Sequence, residues 1–192
     1  MPKTFFIIPG FKSQVSDSDY TWLVTYLAKQ GYVVKGVPVQ WNYRTLSQNA
    51  TEFLNYFNQH KTAQNYILGF SYGAVIALLT ANQTNPQLLY LCSLSPDFAE
   101  DATSIPEWIK GYIGKKRYQD TQNRSAQMLA AELKSKIVLF YGEEEGKEFP
   151  ALKNRSGEIA KLAQNARLIV VKDTPHDIKH PEYQAVIKRE IQ

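Results

Sequence analysis

The chain has 192 residues, 44% of them hydrophobic and 12% aromatic, enough to bury the core of a single domain over 1–192. A formal net charge of +4 is mild, and no nucleic-acid motif accompanies it, so nucleic acid is not an expected partner. The single cysteine, Cys92, excludes an intramolecular disulfide and fits a reducing compartment.

Phe5-Phe6-Ile7-Ile8 predicts a buried strand that stops at Pro9-Gly10. The run is too short for a signal-peptide core, and no stretch approaches the ~20 apolar residues of a membrane span. A cytoplasmic protein is expected. Asp17 or Ser18 caps a helix with Trp22, Leu23, Tyr26 and Leu27 on one face, and Gly31 ends it. A second strand is expected from Tyr32-Val33-Val34 through Val37-Pro38-Val39. Thr45 and Gln48 make a capping box for a helix that turns Ala50, Phe53, Leu54 and Phe57 inward. Tyr66-Ile67-Leu68 predicts a third strand, Ala74 to Ala81 a helix, and Leu88 to Leu94 a fourth strand. Cys92 lies inside that last run and reads as a buried structural thiol.

Residues 97–130 interrupt the rhythm and carry no strand signal. Lys110, Lys115, Lys116 and Arg117 are interleaved there with Trp108, Tyr112 and Tyr118, the pattern of a solvated amphipathic segment. Ile137 to Tyr141 predicts a fifth strand. A helix over 156–165 carries Ile159, Leu162 and Ala163, and Leu168 to Val171 predicts a sixth strand. Pro181 starts a last helix with Tyr183, Val186, Ile187 and Ile191. Strands alternate with helices, and most strands are continuous apolar runs. That combination predicts the α/β class: a three-layer, doubly wound sheet of about six parallel strands. Ligands then bind beyond the carboxyl ends of the strands. Pro9-Gly10-Phe11, Ser71, Asp97, Glu143 to Glu145 and His176 all follow strand ends and share that edge.

Gly69-Phe70-Ser71-Tyr72-Gly73 falls directly between a predicted strand and a predicted helix. A sharp strand–turn–helix junction of this kind lifts a serine hydroxyl above the sheet edge, where it can act as a nucleophile. Side chains in place of the two glycines would collide with the adjoining elements. Serine needs a base, and the base needs a carboxylate to hold its tautomer. His60 closes a helix at the opposite edge and His180 sits where the last helix starts. His176, in Asp173-Thr174-Pro175-His176, follows the last strand closely and is the candidate base. The backbone N–H groups of Tyr72 and Phe11 are candidate oxyanion donors. Three histidines and one cysteine do not gather at metal-ligand spacing, and the third glycine of a dinucleotide fingerprint is missing. No metal or cofactor is expected.

Through Gly69-Phe70-Ser71-Tyr72-Gly73, Phe140-Tyr141-Gly142-Glu143-Glu144-Glu145 and His176, the chain resembles a small α/β-hydrolase over nearly its whole length. It lacks the N-terminal antiparallel strands of larger members, and Pro9-Gly10-Phe11 stands where many members have His-Gly. The family order of nucleophile, acid and histidine implies Ser71, Glu145 and His176. An acid three residues past the strand-ending glycine selects Glu145, with Asp97, Glu143 and Glu144 as alternatives. The resemblance implies hydrolysis of a carboxylic ester or related acyl bond in a small molecule, through an acyl-enzyme. An acyltransferase or thioesterase would use the same residues, and a non-catalytic binding protein is the reading from another class. Residues 97–130 would form a small lid, with Trp108, Ile109, Tyr112 and Ile113 as an apolar face over the serine or as core packing.

Overall fold

Six strands, β1 (Lys3–Ile8), β2 (Val33–Gly36), β3 (Gln64–Phe70), β4 (Leu88–Cys92), β5 (Ile137–Gly142) and β6 (Ala166–Val171), lie side by side in the computed structural model. Every pairing is parallel, in the order β2-β1-β3-β4-β5-β6. Residues 2–105 and 107–191 are described, without the side chains of Ser104 and Ile109. The Ile109 part of the expected lid face therefore lies outside the described residues.

Parallel strands need crossovers, and here helices cover both faces of the sheet. Alternation along β1 shows the division: Phe6 and Ile8 point into one cluster, Phe5 and Ile7 into the other. The first cluster is closed by α2 (Leu46–His60), α3 (Tyr72–Thr84) and α8 (Pro150–Leu162) through Phe53, Ala74, Ala77 and Ile159. The second is closed by α1 (Ser18–Lys29) and α9 (Pro181–Glu190) through Leu23, Leu27, Tyr183 and Ile187. Helix α3 is apolar nearly all round, as a helix packed among other elements must be. The capping box of α2 forms as expected: Thr45 Oγ1 accepts from the Gln48 N–H and Gln48 returns the bond to the Thr45 N–H.

The order reverses between β1 and β3. The chain leaves β1 toward β2 on one side and returns to build β3 to β6 on the other. A crevice opens at such a switch point, outside the strand carboxyl ends.

Three elements differ from expectation. β2 ends at Gly36 rather than running to Val39. Val37 N–H still donates to Ile7 O at 2.9 Å, but Pro38 has no N–H to extend the ladder, and Val37 and Val39 pack into the core from a loop instead. The helix expected over 156–165 begins earlier, at Pro150, which occupies its first turn, and ends at Leu162. A short helix, α7 (Glu143–Glu148), follows β5 directly. Its three glutamates carry no apolar period, but acidic groups in a first turn favour the helix dipole.

Between β4 and β5, a 3-10 turn (Ala99–Ser104) precedes α4 (Glu107–Ile113), α5 (Lys115–Gln122) and α6 (Ala126–Glu132). Two buried ion pairs fasten this segment: Asp97 with Arg124 at 2.6 Å, and Asp101 with Arg155 of α8 at 2.7 Å. Among the described residues no helix is long and apolar enough to cross a membrane.

Candidate active site

Ser71 occupies a backbone conformation with φ 56° and ψ −121°, which a residue with a side chain adopts only under constraint. The constraint is visible. Ser71 N–H donates to Cys92 O of β4 at 2.8 Å. A Cβ on Gly69 would lie 2.3 Å from Gly73 O, and one on Gly73 would lie 2.2 Å from Ile8 O. Only glycine at both positions lets strand, turn and helix close against the end of β1. Ser71 thus caps the start of α3, with its Oγ 3.2 Å from Ser95 Oγ.

A second assembly forms across the ends of β5 and β6. After β6 the chain turns through Asp173, with φ 51°. Thr174 O accepts the N–H groups of Glu144 and Glu145 at 3.1 and 3.3 Å, which ties the histidine loop to the start of α7. His176 Nδ1 is hydrogen-bonded to Glu145 Oε1. Glu145 is fully buried. Its other oxygen accepts from Ser93 Oγ and from Gly142 N–H, each at 2.9 Å. Such a desolvated carboxylate requires these partners. Ser93 Oγ also lies 2.9 Å from the hydroxyl of fully buried Tyr183. The His176 ring packs on Phe70 with centroids 4.9 Å apart.

The other carboxylates weighed from the sequence are engaged elsewhere. Asp97 binds Arg124 and accepts from Thr121 Oγ1 at 2.6 Å. Glu144 pairs with Lys147 at 2.7 Å, and Glu143 accepts the Asp173 N–H at 3.3 Å. Glu143, Glu144 and Asp173 bring carboxylate oxygens within 4.8 Å of one another, a grouping that spacing along the chain did not reveal. His60 Nδ1 pairs with Tyr56 O at 2.8 Å at the end of α2, and His180 lies 2.9 Å from Glu182.

Ser71 and His176 border one pocket of about 510 Å³, with Ser95, Asp97, Trp108, Ile113, Phe149 and Leu152 among its walls. Among the described residues no hydrogen bond joins Ser71 to His176; the serine hydroxyl is held by Ser95. With Nδ1 engaged by Glu145, Nε2 is the nitrogen left for a reacting group.

The loop after β1 completes the mouth. Gly10 N–H donates to the hydroxyl of buried Tyr20 at 2.8 Å. The Phe11 ring packs against Tyr72 and Trp41, with centroids 5.4 and 5.6 Å away. Burial, reinforced by the Asp97 charge, pushes the Tyr72 phenol up to about 12. A narrower apolar pocket of about 240 Å³ shares Tyr72, Asp97, Trp108 and Ile113 with the first and continues past Phe11. Trp108 and Tyr112 of α4 are exposed, so they line the mouth rather than the core. Ser93, Ser95, Tyr20 and Tyr183 were not legible as site residues. Ser93 stood inside an apolar run, and only its φ of 52° marks where the chain leaves β4.

Neither protein-family models nor curated proteins match the sequence. Solved structures do. Alpha/beta hydrolase domain-containing protein 10 from mouse is 12% identical, with a TM-score of 0.81 over 100% of this chain and 88% of its own. Est1E from Butyrivibrio proteoclasticus, with ferulic acid bound, is 14% identical with a TM-score of 0.78 over 100% of this chain and 86% of its own. MenH from S. aureus is 17% identical, with a TM-score of 0.65 over 98% of this chain and 91% of its own. The chain has the α/β-hydrolase fold, as its sequence motifs implied.

Proposed function

We propose that the protein is a serine hydrolase that cleaves a carboxylic ester or related acyl bond through an acyl-enzyme. The observation that carries the reading is the bond from buried Glu145 to His176 Nδ1, facing the same pocket as strained Ser71. In this reading His176 Nε2 takes the Ser71 proton as Oγ attacks the carbonyl carbon. The carbonyl electrons move onto oxygen, and the backbone N–H groups of Phe11 and Tyr72 receive that charge. Collapse expels the leaving group, which takes the proton from His176. Water, deprotonated by the same nitrogen, then attacks the acyl-enzyme and releases the acid and free Ser71. Glu145 holds the imidazole tautomer and stabilises the imidazolium. Residues 97–130 serve as a lid over a small-molecule acyl substrate. The one cysteine is buried, which suits the reducing conditions of the cytoplasm.

Labelling with a fluorophosphonate, followed by mass mapping, tests the reading. The label should sit on Ser71. Ser71→Ala should abolish it and lower kcat on p-nitrophenyl butyrate by about 10⁶. Labelling that survives the substitution, or hydrolysis that does, refutes it.

A further inference from the structure

A groove of about 570 Å³ opens beside the apolar pocket, between the loop after β1, residues 42–45 and the junction of α4 and α5. Lys12, Arg44, Lys115, Lys116 and Arg117 line it, and no carboxylate of the described residues does. Arg44 is neutralised by Glu52 at 2.9 Å. Among the described residues the other four have no carboxylate within ion-pair distance, whereas Arg124, Arg155, Lys147 and Lys179 are all paired.

Neutral partners aim these cations. Lys12 Nζ donates to Tyr112 OH at 2.8 Å, across the gap between loop and helix. Arg117 Nε donates to Arg44 O at 2.9 Å, and its Nη2 to Trp41 O. Backbone carbonyls fix the guanidinium without cancelling its charge, and a guanidinium has five N–H donors, so further ones remain for a ligand. Like charges gathered without counter-charge repel one another and create a local field that an anion relieves.

The groove shares walls with the pockets that lead toward the serine. Phe11, whose backbone N–H is the expected second oxyanion donor, forms part of its wall, as do Tyr112 and Ile113. All three also border the apolar pocket that reaches Tyr72. A substrate with its acyl bond at Ser71 would pass its leaving-group side or its tail over Phe11 into the groove.

We propose that the groove binds a phosphate group of the substrate, so that the natural substrate is an acyl compound on a phosphate-bearing carrier. This rests on the hydrolase reading and extends it. Phosphate is the anion that several unneutralised lysines and an oriented arginine bind together. A single phosphate or a nucleotide carrier would satisfy the same chemistry. Tyr43, exposed on the groove's rim, offers a ring face to a base.

The test compares kcat/KM for butyryl-pantetheine, butyryl-4′-phosphopantetheine and butyryl-coenzyme A, which share one reacting bond; the second adds one phosphate to the first, and the third adds further phosphates and an adenosine. The phosphorylated thioesters should exceed butyryl-pantetheine by about tenfold or more at low ionic strength. That advantage should shrink toward parity near 0.5 M salt, as screening shortens to roughly 4 Å. Lys115→Gln/Lys116→Gln should reduce the ratio by about fivefold or more. A further gain for coenzyme A indicates a nucleotide carrier, and equality with phosphopantetheine a single phosphate. Equal turnover of all three, or a ratio insensitive to salt and to the double substitution, overturns the proposal and leaves the hydrolase reading intact. Absence of turnover together with absence of Ser71 labelling overturns the hydrolase reading. The groove is then judged by calorimetry on Ser71→Ala: coenzyme A binding no tighter than pantetheine refutes phosphate recognition.

Discussion

Ser93 Oγ donates to Glu145 Oε2 at 2.9 Å, while the opposite oxygen of that carboxylate meets His176. Ser93 achieves this by leaving β4 in a left-handed conformation, its N–H still bonded to Phe140 O at 2.7 Å. The hydroxyl therefore joins the end of β4 to Glu145 of α7 and to Tyr183 of α9. Ser93→Ala keeps the Cβ and so the backbone cost. It leaves the carboxylate and Tyr183 short of one partner. Stability should fall by about 1–3 kcal/mol, with kcat reduced less than by changing Glu145. Denaturant unfolding and ester kinetics check both. A fully active variant of unchanged stability would mean that the hydroxyl does not hold the acid.

Glu145 and Asp97 should separate by experiment. Glu145→Gln should lower kcat by roughly 10³–10⁴, the scale for a triad acid, with the chain still folded by circular dichroism. Asp97→Asn should cost under about tenfold in kcat. It should instead lower stability by about 1–3 kcal/mol, because buried Arg124 loses one of its two carboxylate partners and keeps Asp120. A crippling Asp97→Asn in the folded protein, beside a mild Glu145→Gln, reverses the assignment.

His176→Ala should lose nearly as much activity as Ser71→Ala, since the two act as a unit. His180→Ala should cost less than about tenfold: its ring sits beside Glu182 at the start of α9, outside the walls of the serine pocket. Steady-state kinetics on a small activated ester distinguishes them. Greater damage from His180→Ala would identify the wrong histidine.

Trp108 is 73% exposed and borders both the serine pocket and the apolar pocket beyond it. Trp108→Ala should shift chain-length preference and raise KM more than it lowers kcat, with stability changed by under about 0.5 kcal/mol. An acyl-chain series run beside thermal unfolding checks this. Lost stability with unaltered preference would make the residue a packing group only.

Continuous apolar runs separated by helical periods were sufficient to specify a parallel α/β sheet, because strands buried on both faces have no polar alternation. Gly69-Phe70-Ser71-Tyr72-Gly73 announced the strained turn because only glycine fits the approaches to Gly73 O and Ile8 O. The place of His176 just after the final strand, at the edge that carries Ser71, was legible too. These signals are local: a few neighbouring residues carry them. The surroundings of Glu143, Glu144, Glu145 and Asp97 are not local. Spacing after Gly142 favoured Glu145 but could not show what each carboxylate meets. Only the tertiary structure pairs Asp97 with Arg124, turns Glu143 and Glu144 outward, and buries Glu145 between Ser93, Gly142 and His176. The cationic groove has the same origin. Lys115 to Arg117 read there as solvated charge, and Lys12 and residues 42–45 lie far from them in sequence, until folding brings all of them together beside Phe11 with only Arg44 paired to a carboxylate.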